Sequence, residues 1–337
     1  MKGGLFSFLR VVVSLSLLAL LFWFMRGDIL DIWITITQCN LVYIALGLAL
    51  LLVNVFMLAY RLKLIFEGEN LAIGMSEAVQ LTYIGYFFNN FMPTAVGGDI
   101  VKAHYASGTN GKKVQSYASV FMDRFIGLYS FLIVAALALA VDKGHFKVVS
   151  IKPVVLVLLM LGLIGVVVVT NTAVARAVQN FFAKLKLMRV GEKLHAVYGI
   201  VHDYRNRGDV VFKATIVSMA AQTIYFFVVY LFFLSLGHRI GMINIFLIMP
   251  VVTFMSMIPS IGGLGVREGA IVAFFAPVVG KESAFAVSIL LLFSLFFLSL
   301  IGGMVYVWWG VSGVRNKNDK LERIEKEAEL IESKGRN

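Results

Sequence analysis

Charge is what this sequence has least of: only 15 % of its 337 residues are charged, where a soluble domain carries about a quarter. Such a chain cannot cover a globule of this size with polar surface. Cysteine is nearly absent too. Cys39 stands alone, which excludes an internal disulfide and a cysteine metal cluster. Histidines occur at 104, 145, 195, 202 and 238 without paired spacing such as His-Glu-x-x-His, so metal chemistry is not expected. Nucleotide motifs are missing as well. Gly263-x-Gly265-x-x-x-Gly269 is not the dinucleotide fingerprint, and neither glycine cluster closes on Gly-Lys-Ser/Thr. ATP-driven transport by this chain alone is therefore not expected, nor is any cofactor.

What is present is apolar. Hydrophobic residues make up 60 % of the chain and mean hydropathy is +0.88. Ser283 to Val314, Leu41 to Tyr60 and Pro153 to Ala175 carry no charge; each is long enough for the roughly 20 residues a membrane-crossing helix needs. Barrel strands are shorter and alternate, so a transmembrane barrel is excluded. The run Val11 to Met25 follows Lys2 and Arg10. No small-x-small cleavage site follows it, so an uncleaved first span is expected rather than a signal peptide. The fold class is thus an all-α polytopic membrane protein. Continuous spans are expected near 9–25, 41–60, 114–141, 153–170, 211–236 and 283–310.

Two further apolar stretches, 78–92 and 244–258, are short and end at Pro93 and Pro259, followed by glycines and charges. Proline and a glycine cluster stop a helix, and Asp99 to Ala106 and Val266 to Ala276 can resume it. A broken helix at membrane depth survives where protein or a water-filled cavity satisfies its backbone. Two re-entrant hairpins are therefore expected beside the six spans.

The net charge of +11 is concentrated between spans, where orientation and anionic lipid account for it better than nucleic acid does. The segment 171–213 has Arg176, Lys184, Lys186, Arg189, Lys193, Arg205, Arg207 and Lys213 against Glu192, Asp203 and Asp209. That excess marks it cytoplasmic and places both termini inside, a placement that Arg61, Lys63 and the tail 315–337 fit. The loop 142–152 runs against this orientation with Lys143, Lys147 and Lys152. Within 171–210 the stripes Val174, Val178, Phe181, Phe182, Leu185 and Leu194, Val197, Val201, Tyr204 read either as interfacial helices on an anionic leaflet or as a docked linker. Leu321, Ile324, Ala328 and Ile331 are too few for a coiled coil.

The two breaks are alike. Pro93-Thr-Ala-Val-Gly97-Gly98-Asp99-Ile-Val101-Lys102 parallels Pro259-Ser-Ile-Gly262-Gly263-Leu-Gly265-Val266-Arg267-Glu268, and Gly111-Lys112 and Gly280-Lys281 follow. Residues 1–314 read as one transmembrane domain with repeat halves about 41–141 and 211–310. Opposed halves with broken helices meeting near midplane are a transporter plan.

Charges inside spans cost about 2.5–3.5 kcal/mol each on insertion scales. Asp123 and Arg124 sit in the apolar run 114–141 and, being adjacent, point about 100° apart, so each is expected to meet a group on another element. Lys102 and Arg267, beside the glycines at the two short helix starts, could hold an anion there with free backbone N–H groups; a lipid phosphate is the natural ligand. Asn90, three residues before Pro93, faces backbone that a broken helix frees. Asn89, Gln80 and Gln222 read as helix-to-helix glue, and Tyr306, Trp308 and Trp309 as an aromatic belt.

Asn89-Asn-Phe-Met-Pro93-Thr-Ala-Val-Gly-Gly-Asp99-Ile-Val-Lys102, Asp123-Arg124-Phe-Ile-Gly127-Leu and Pro259-Ser-Ile-Gly-Gly-Leu-Gly-Val-Arg267-Glu268-Gly269 resemble the membrane region of the lysylphosphatidylglycerol synthase family, the flippase-like domain proteins. The resemblance runs from the second span to the last, and the third motif is its most specific part. It implies movement of a lipid or lipid-linked headgroup across the cytoplasmic (inner) membrane. Full-length synthases carry a soluble aminoacyl-tRNA-dependent transferase domain after this region; here only a short charged tail follows, so synthase activity is not expected. The substrate-binding set expected on these grounds is Asn90, Gly97, Gly98, Asp99, Lys102, Asp123, Arg124, Gly262, Gly263, Gly265, Arg267 and Glu268. The cations would hold a phosphate, and the carboxylates would position them or pair with a cationic headgroup. The rival readings are a non-catalytic partner of a separate lipid-modifying or glycosyl transferase and, with no nucleophile in evidence, a membrane-embedded headgroup transferase.

Overall fold

The computed structural model describes residues 37–92, 97–110, 112–142, 151–170, 207–258, 260 and 263–334, without the side chains of 109–110, 165–170 and 310–334. The expected first span 9–25, Pro93, Pro259, Gly262, Lys143, Lys147, the stripes of 171–205 and the tail side chains lie outside that set. Among the described residues every element is helical.

Nine helices follow one another among these residues: α1 (Leu41–Gly68), α2 (Met75–Phe91), α3 (Gly97–Asn110), α4 (Lys113–Val141), α5 (Ile151–Thr170), α6 (Gly208–Ser235), α7 (Met242–Met255), α8 (Val266–Val279) and α9 (Lys281–Lys334). Four are long and apolar enough to cross a membrane: α1, α4, α6 and the Lys281–Trp309 part of α9. The 14 residues of α3, α7 and α8 reach about 21 Å, short of the ~30 Å hydrocarbon core. The order of long helix, two short helices, long helix occurs twice. Both α1 and α6 have 28 residues, both α3 and α8 have 14, and α4 and Lys281–Trp309 have 29 each.

The long helices are held in register by polar groups as well as apolar packing. Helices α1 and α6 run antiparallel along their full length. The Asn40 N–H donates to the Ser235 carbonyl at 2.8 Å, Asn54 Nδ2 donates to the Ala221 carbonyl at 2.6 Å, and Gly68 lies against Val210. Asn40 also caps α1, its side chain accepting from the Val42 N–H, which satisfies one orphan donor of the first turn. Helices α2 and α9 are the second antiparallel seam, where Asn90 donates to the Leu295 carbonyl at 3.2 Å and to Ser299, while Ser299 Oγ donates to the Tyr86 carbonyl. Just as α2 lies on α9, α7 lies on α4, and as α3 lies on α4, α8 lies on α9. The largest apolar core joins α1, α4, α5, α6, α7, α8 and α9, with Phe226, Phe232, Phe233 and Phe275 fully buried.

Two expectations change here. Arg61 does not flank a span. Helix α1 continues to Gly68, and Arg61 is buried within it. The aromatic belt is reduced to Trp308, which is 74 % exposed. Tyr306 stacks on Phe87, and Trp309 stacks on Tyr105 at 5.3 Å between ring centroids, so both rings bind α9 to the first hairpin. Of the three lysines at 142–152 that run against the orientation, Lys152, in the first turn of α5, is paired: its Nζ lies 2.7 Å from Asp142.

Candidate functional site

The short helices and the long ones converge on a cavity of about 360 Å³. Its charged wall comes from α1, α3, α4 and α8: Arg61, Asp99, Lys102, Asp123, Arg124 and Arg267. Its uncharged polar wall includes Thr82, Asn89 and Asn90 of α2, Gln222 and Tyr225 of α6, and Thr253, Ser256 and Ser260 at the end of α7 and after it. The volume is at the small end of the ~300–1,000 Å³ typical of ligand pockets, enough for a headgroup rather than a whole lipid.

Adjacent Asp123 and Arg124 are met from different directions, as their angular separation on α4 requires. Asp123 Oδ1 accepts from Arg61 Nε of α1 at 2.7 Å, and its Oδ2 faces Lys102 Nζ of α3 at 3.8 Å. Arg124 Nη1 instead donates to Asp99 Oδ2 of α3. Lys102 Nζ lies 3.4 Å from the other Asp99 oxygen, one helical turn away on the same face. Arg61 further donates to Ser218 Oγ of α6 at 2.8 Å. Five charges from three helices thus form one network, and a buried ion pair of this kind is stable only when its remaining polar atoms are also satisfied.

Small residues make room for the cations. A Cβ at Gly85 of α2 would collide with the Lys102 stem, and one at Gly127 of α4 would come within 2.9 Å of Arg61 Nη1. Both cations therefore lie flat against a neighbouring backbone.

The second hairpin is arranged differently. Gly263 and Gly265 have φ of +80° and +81°, a region that L side chains rarely adopt, and they turn the chain into α8. Glu268, fully buried in the first turn of α8, accepts from the Gly265 N–H at 2.7 Å with Oε2. Its Oε1 accepts from Arg267 Nε at 2.9 Å and Nη2 at 2.6 Å. Glu268 thus occupies the helix start that the sequence offers to an external anion. It aligns Arg267, which does reach the cavity. At the first hairpin, Asn89 Oδ1 accepts from the Gly98 N–H at 2.9 Å. Asp99, like Glu268, sits in the first turn of its short helix.

Of the twelve residues singled out in the sequence, Asn90, Asp99, Lys102, Asp123, Arg124, Gly263 and Arg267 line the cavity. Gly97, Gly98, Gly265 and Glu268 build the helix starts behind it, and Gly262 lies outside the described residues. Asn90 divides its role, since its amide nitrogen ties α2 to α9. Sequence reasoning passed over Arg61, Asn54, Tyr225, Thr253, Ser256 and Ser260 as wall residues. Arg61 had one signal, its place next to a 20-residue uncharged run that a helix could extend. The hydroxyl groups had none beyond clustering around Pro259.

Spanning helices, short paired helices and a buried charged cavity define a polytopic helical membrane protein. Comparison with known proteins agrees and goes one step further. The chain belongs to the family described as the Lysylphosphatidylglycerol synthase TM region, whose model matches residues 7–303. It is similar to the UPF0104 membrane protein PH1989 of Pyrococcus horikoshii, 24 % identical over 330 residues, which cover 89 % of this chain and 96 % of that one. Two UPF0104 membrane proteins of Methanothermobacter thermautotrophicus are similar at 24 % and 23 % identity, over 95 % and 90 % of this chain and 99 % and 92 % of theirs.

Proposed function

We propose that this chain is a flippase-like translocator that carries the anionic headgroup of a membrane lipid, or of a lipid-linked substrate, across the cytoplasmic membrane. One observation carries the reading: among the described residues, four cations, Arg61, Lys102, Arg124 and Arg267, share a cavity with two lining carboxylates, Asp99 and Asp123. With Glu268 behind Arg267, three carboxylates oppose four cations, so the formal charge of the cluster is positive. Such a surplus in a low-dielectric setting favours an anion, and in a bilayer the common anion is a phosphate. Arg124, Lys102 and Arg267 take the phosphate in this reading, and Asp99, Asp123 and Glu268 hold those cations in place.

The two short hairpins, each flanked by long helices of matched length, support treating the halves 41–141 and 211–310 as an inverted repeat whose hairpins enter from opposite sides. Rocking of one half against the other would expose the cavity alternately while acyl chains stay in lipid. Both termini are cytoplasmic in this scheme, and the basic charge of 171–210 suits an anionic leaflet as its partner.

The reading is tested by the lipids that co-purify in mild detergent. Wild-type protein should retain an anionic lipid identifiable by native mass spectrometry, and Arg124→Ala with Arg267→Ala should lose it. Identical lipid profiles for the two proteins would instead favour a non-catalytic partner of a separate transferase.

A further inference from the structure

The two hairpins leave their long helices through the same turn but are fastened to the body by different forces. At the end of α1, the N–H groups of Glu69, Asn70 and Leu71 donate to the carbonyls of Phe66, Glu67 and Phe66. At the end of α6, those of Leu236, Gly237 and His238 donate to Phe233, Leu234 and Phe233. Each donor and acceptor of the first turn has its counterpart in the second at one constant spacing. Both turns pass through a left-handed residue, Asn70 at φ +52° and Gly237 at φ +80°, as helices commonly end.

A tie runs across the base of each hairpin. Lys112 Nζ, just before α4, donates to the Asn70 carbonyl at 3.3 Å. His238 Nε2 lies 2.7 Å from Ser283 Oγ in the first turn of α9. Each tie holds together the points where its hairpin enters and leaves.

Beyond the base the two differ. On the first hairpin, Asp99 and Lys102 pair with Arg124 and Asp123 of α4, and Asn90 donates to Leu295 and Ser299 of α9. Phe87 and Tyr105 stack on Tyr306 and Trp309. Buried charges and hydrogen bonds have fixed geometry, so this hairpin shifts only by breaking several together. The second hairpin is set in the apolar core, Phe246 against Phe226 and Phe275 against Phe233. Apolar contact is non-directional and permits sliding. Pro250 and Pro277 lie inside α7 and α8, each removing a backbone hydrogen bond and allowing a bend. Gly280, at φ +85°, joins α8 directly to α9, so left-handed glycines stand at both stems.

We infer that α7–α8 is the moving hairpin and α2–α3 the fixed one. The second hairpin swings about Gly237 and Gly280 while the His238–Ser283 tie keeps its stems together, since hinges are a few element-terminal residues that absorb the backbone change. The inference rests on the proposed function for its purpose alone: Arg267 travels with the hairpin, whereas Lys102 and Arg124 stay with α3 and α4.

Spin-label distances in the purified full-length chain, embedded in nanodiscs with Cys39→Ser, test it. One label at Leu52 of α1 is paired with a label at Ile100 of α3 or at Ala273 of α8, three exposed positions. The Leu52–Ile100 pair should give a single narrow maximum. The Leu52–Ala273 pair should give a second maximum displaced by about 5 Å, one helical turn. Ser283→Ala should change the share of that second maximum about twofold, and Ser283→Thr, which keeps the hydroxyl, should restore it. A single narrow maximum for both pairs, or equal spread in both, would overturn the assignment. A share indifferent to Ser283→Ala would remove the tie from the device. Two maxima at Ala273 in a protein that moves no headgroup in vesicles would leave the hinge and remove the proposed function. Headgroup movement with one narrow maximum at both pairs would do the reverse.

Discussion

Arg61 and Asp123, 62 positions apart in the chain and both buried, meet at 2.7 Å. The contact joins α1 to α4, and through Lys102 it brings in α3. Removing the carboxylate leaves buried Arg61 without a counter-charge and Lys102 with Asp99 alone, which is costlier than never having built the pair. Asp123→Ala should therefore destabilise the protein by about 3–5 kcal/mol, read as a lowered midpoint of thermal unfolding in mild detergent. Arg61→Met combined with Asp123→Leu should recover much of that loss, because apolar replacement of a buried pair is often neutral or stabilising. Recovery of stability without recovery of lipid binding would separate the structural task of the pair from its functional one.

The glycines under the cations give a second prediction. Gly85→Ala places a methyl group against the Lys102 stem. Overpacking of this kind costs about 1–3 kcal/mol, and here it should displace a cavity cation as well. Affinity for phosphatidylglycerol should fall together with the unfolding midpoint. Gly74→Ala, where nothing lies within 4 Å of the added carbon, should leave lipid affinity unaltered.

Much of this was legible in the chain before any coordinates. Hydropathy located α4 at 113–141 and α6 at 208–235, within three residues of the starts expected, because an apolar helix of that length has few alternatives. The proline-glycine breaks identified the two hairpins for the same local reason. Arg61 escaped because a cation at the edge of an apolar run reads as an interface anchor. Only a partner from a distant helix shows otherwise. Tyr306 and Trp309 escaped likewise, since an aromatic near a span end can face headgroups or, as here, a neighbouring helix. The tie between Glu268 and the Gly265 N–H lay within reach as a glutamate three residues after a glycine helix start. The charge of Arg267 and Glu268 drew the reading toward a ligand instead.

Asp99 holds Arg124 and Lys102 at the cavity. Asp99→Asn keeps the shape and removes the charge that fixes them. Affinity for phosphatidylglycerol should fall by roughly tenfold, equivalent to about 1.4 kcal/mol, and thermal stability should fall with it. An unchanged affinity would mean that the phosphate binds elsewhere in the cavity.

Glu268 acts on the cavity only through Arg267 and the start of α8. Glu268→Gln retains an acceptor for the Gly265 N–H but loses the charge that holds the guanidinium. Lipid affinity should therefore drop more than the unfolding midpoint does. Glu268→Ala should lower both, since it also leaves a helix-start N–H without its acceptor. Titration of phosphatidylglycerol against both variants, alongside thermal unfolding, checks the difference.

The central claim is that the cationic cavity is the path of a lipid headgroup. Its most direct test is the inward-to-outward movement of a headgroup-labelled phosphatidylglycerol in vesicles containing the purified chain. Wild-type protein should speed the movement well above protein-free vesicles, and Arg124→Ala and Arg267→Ala should each lower the rate by about tenfold. A wild-type rate no faster than bare vesicles, or variants as fast as the wild type, would contradict it.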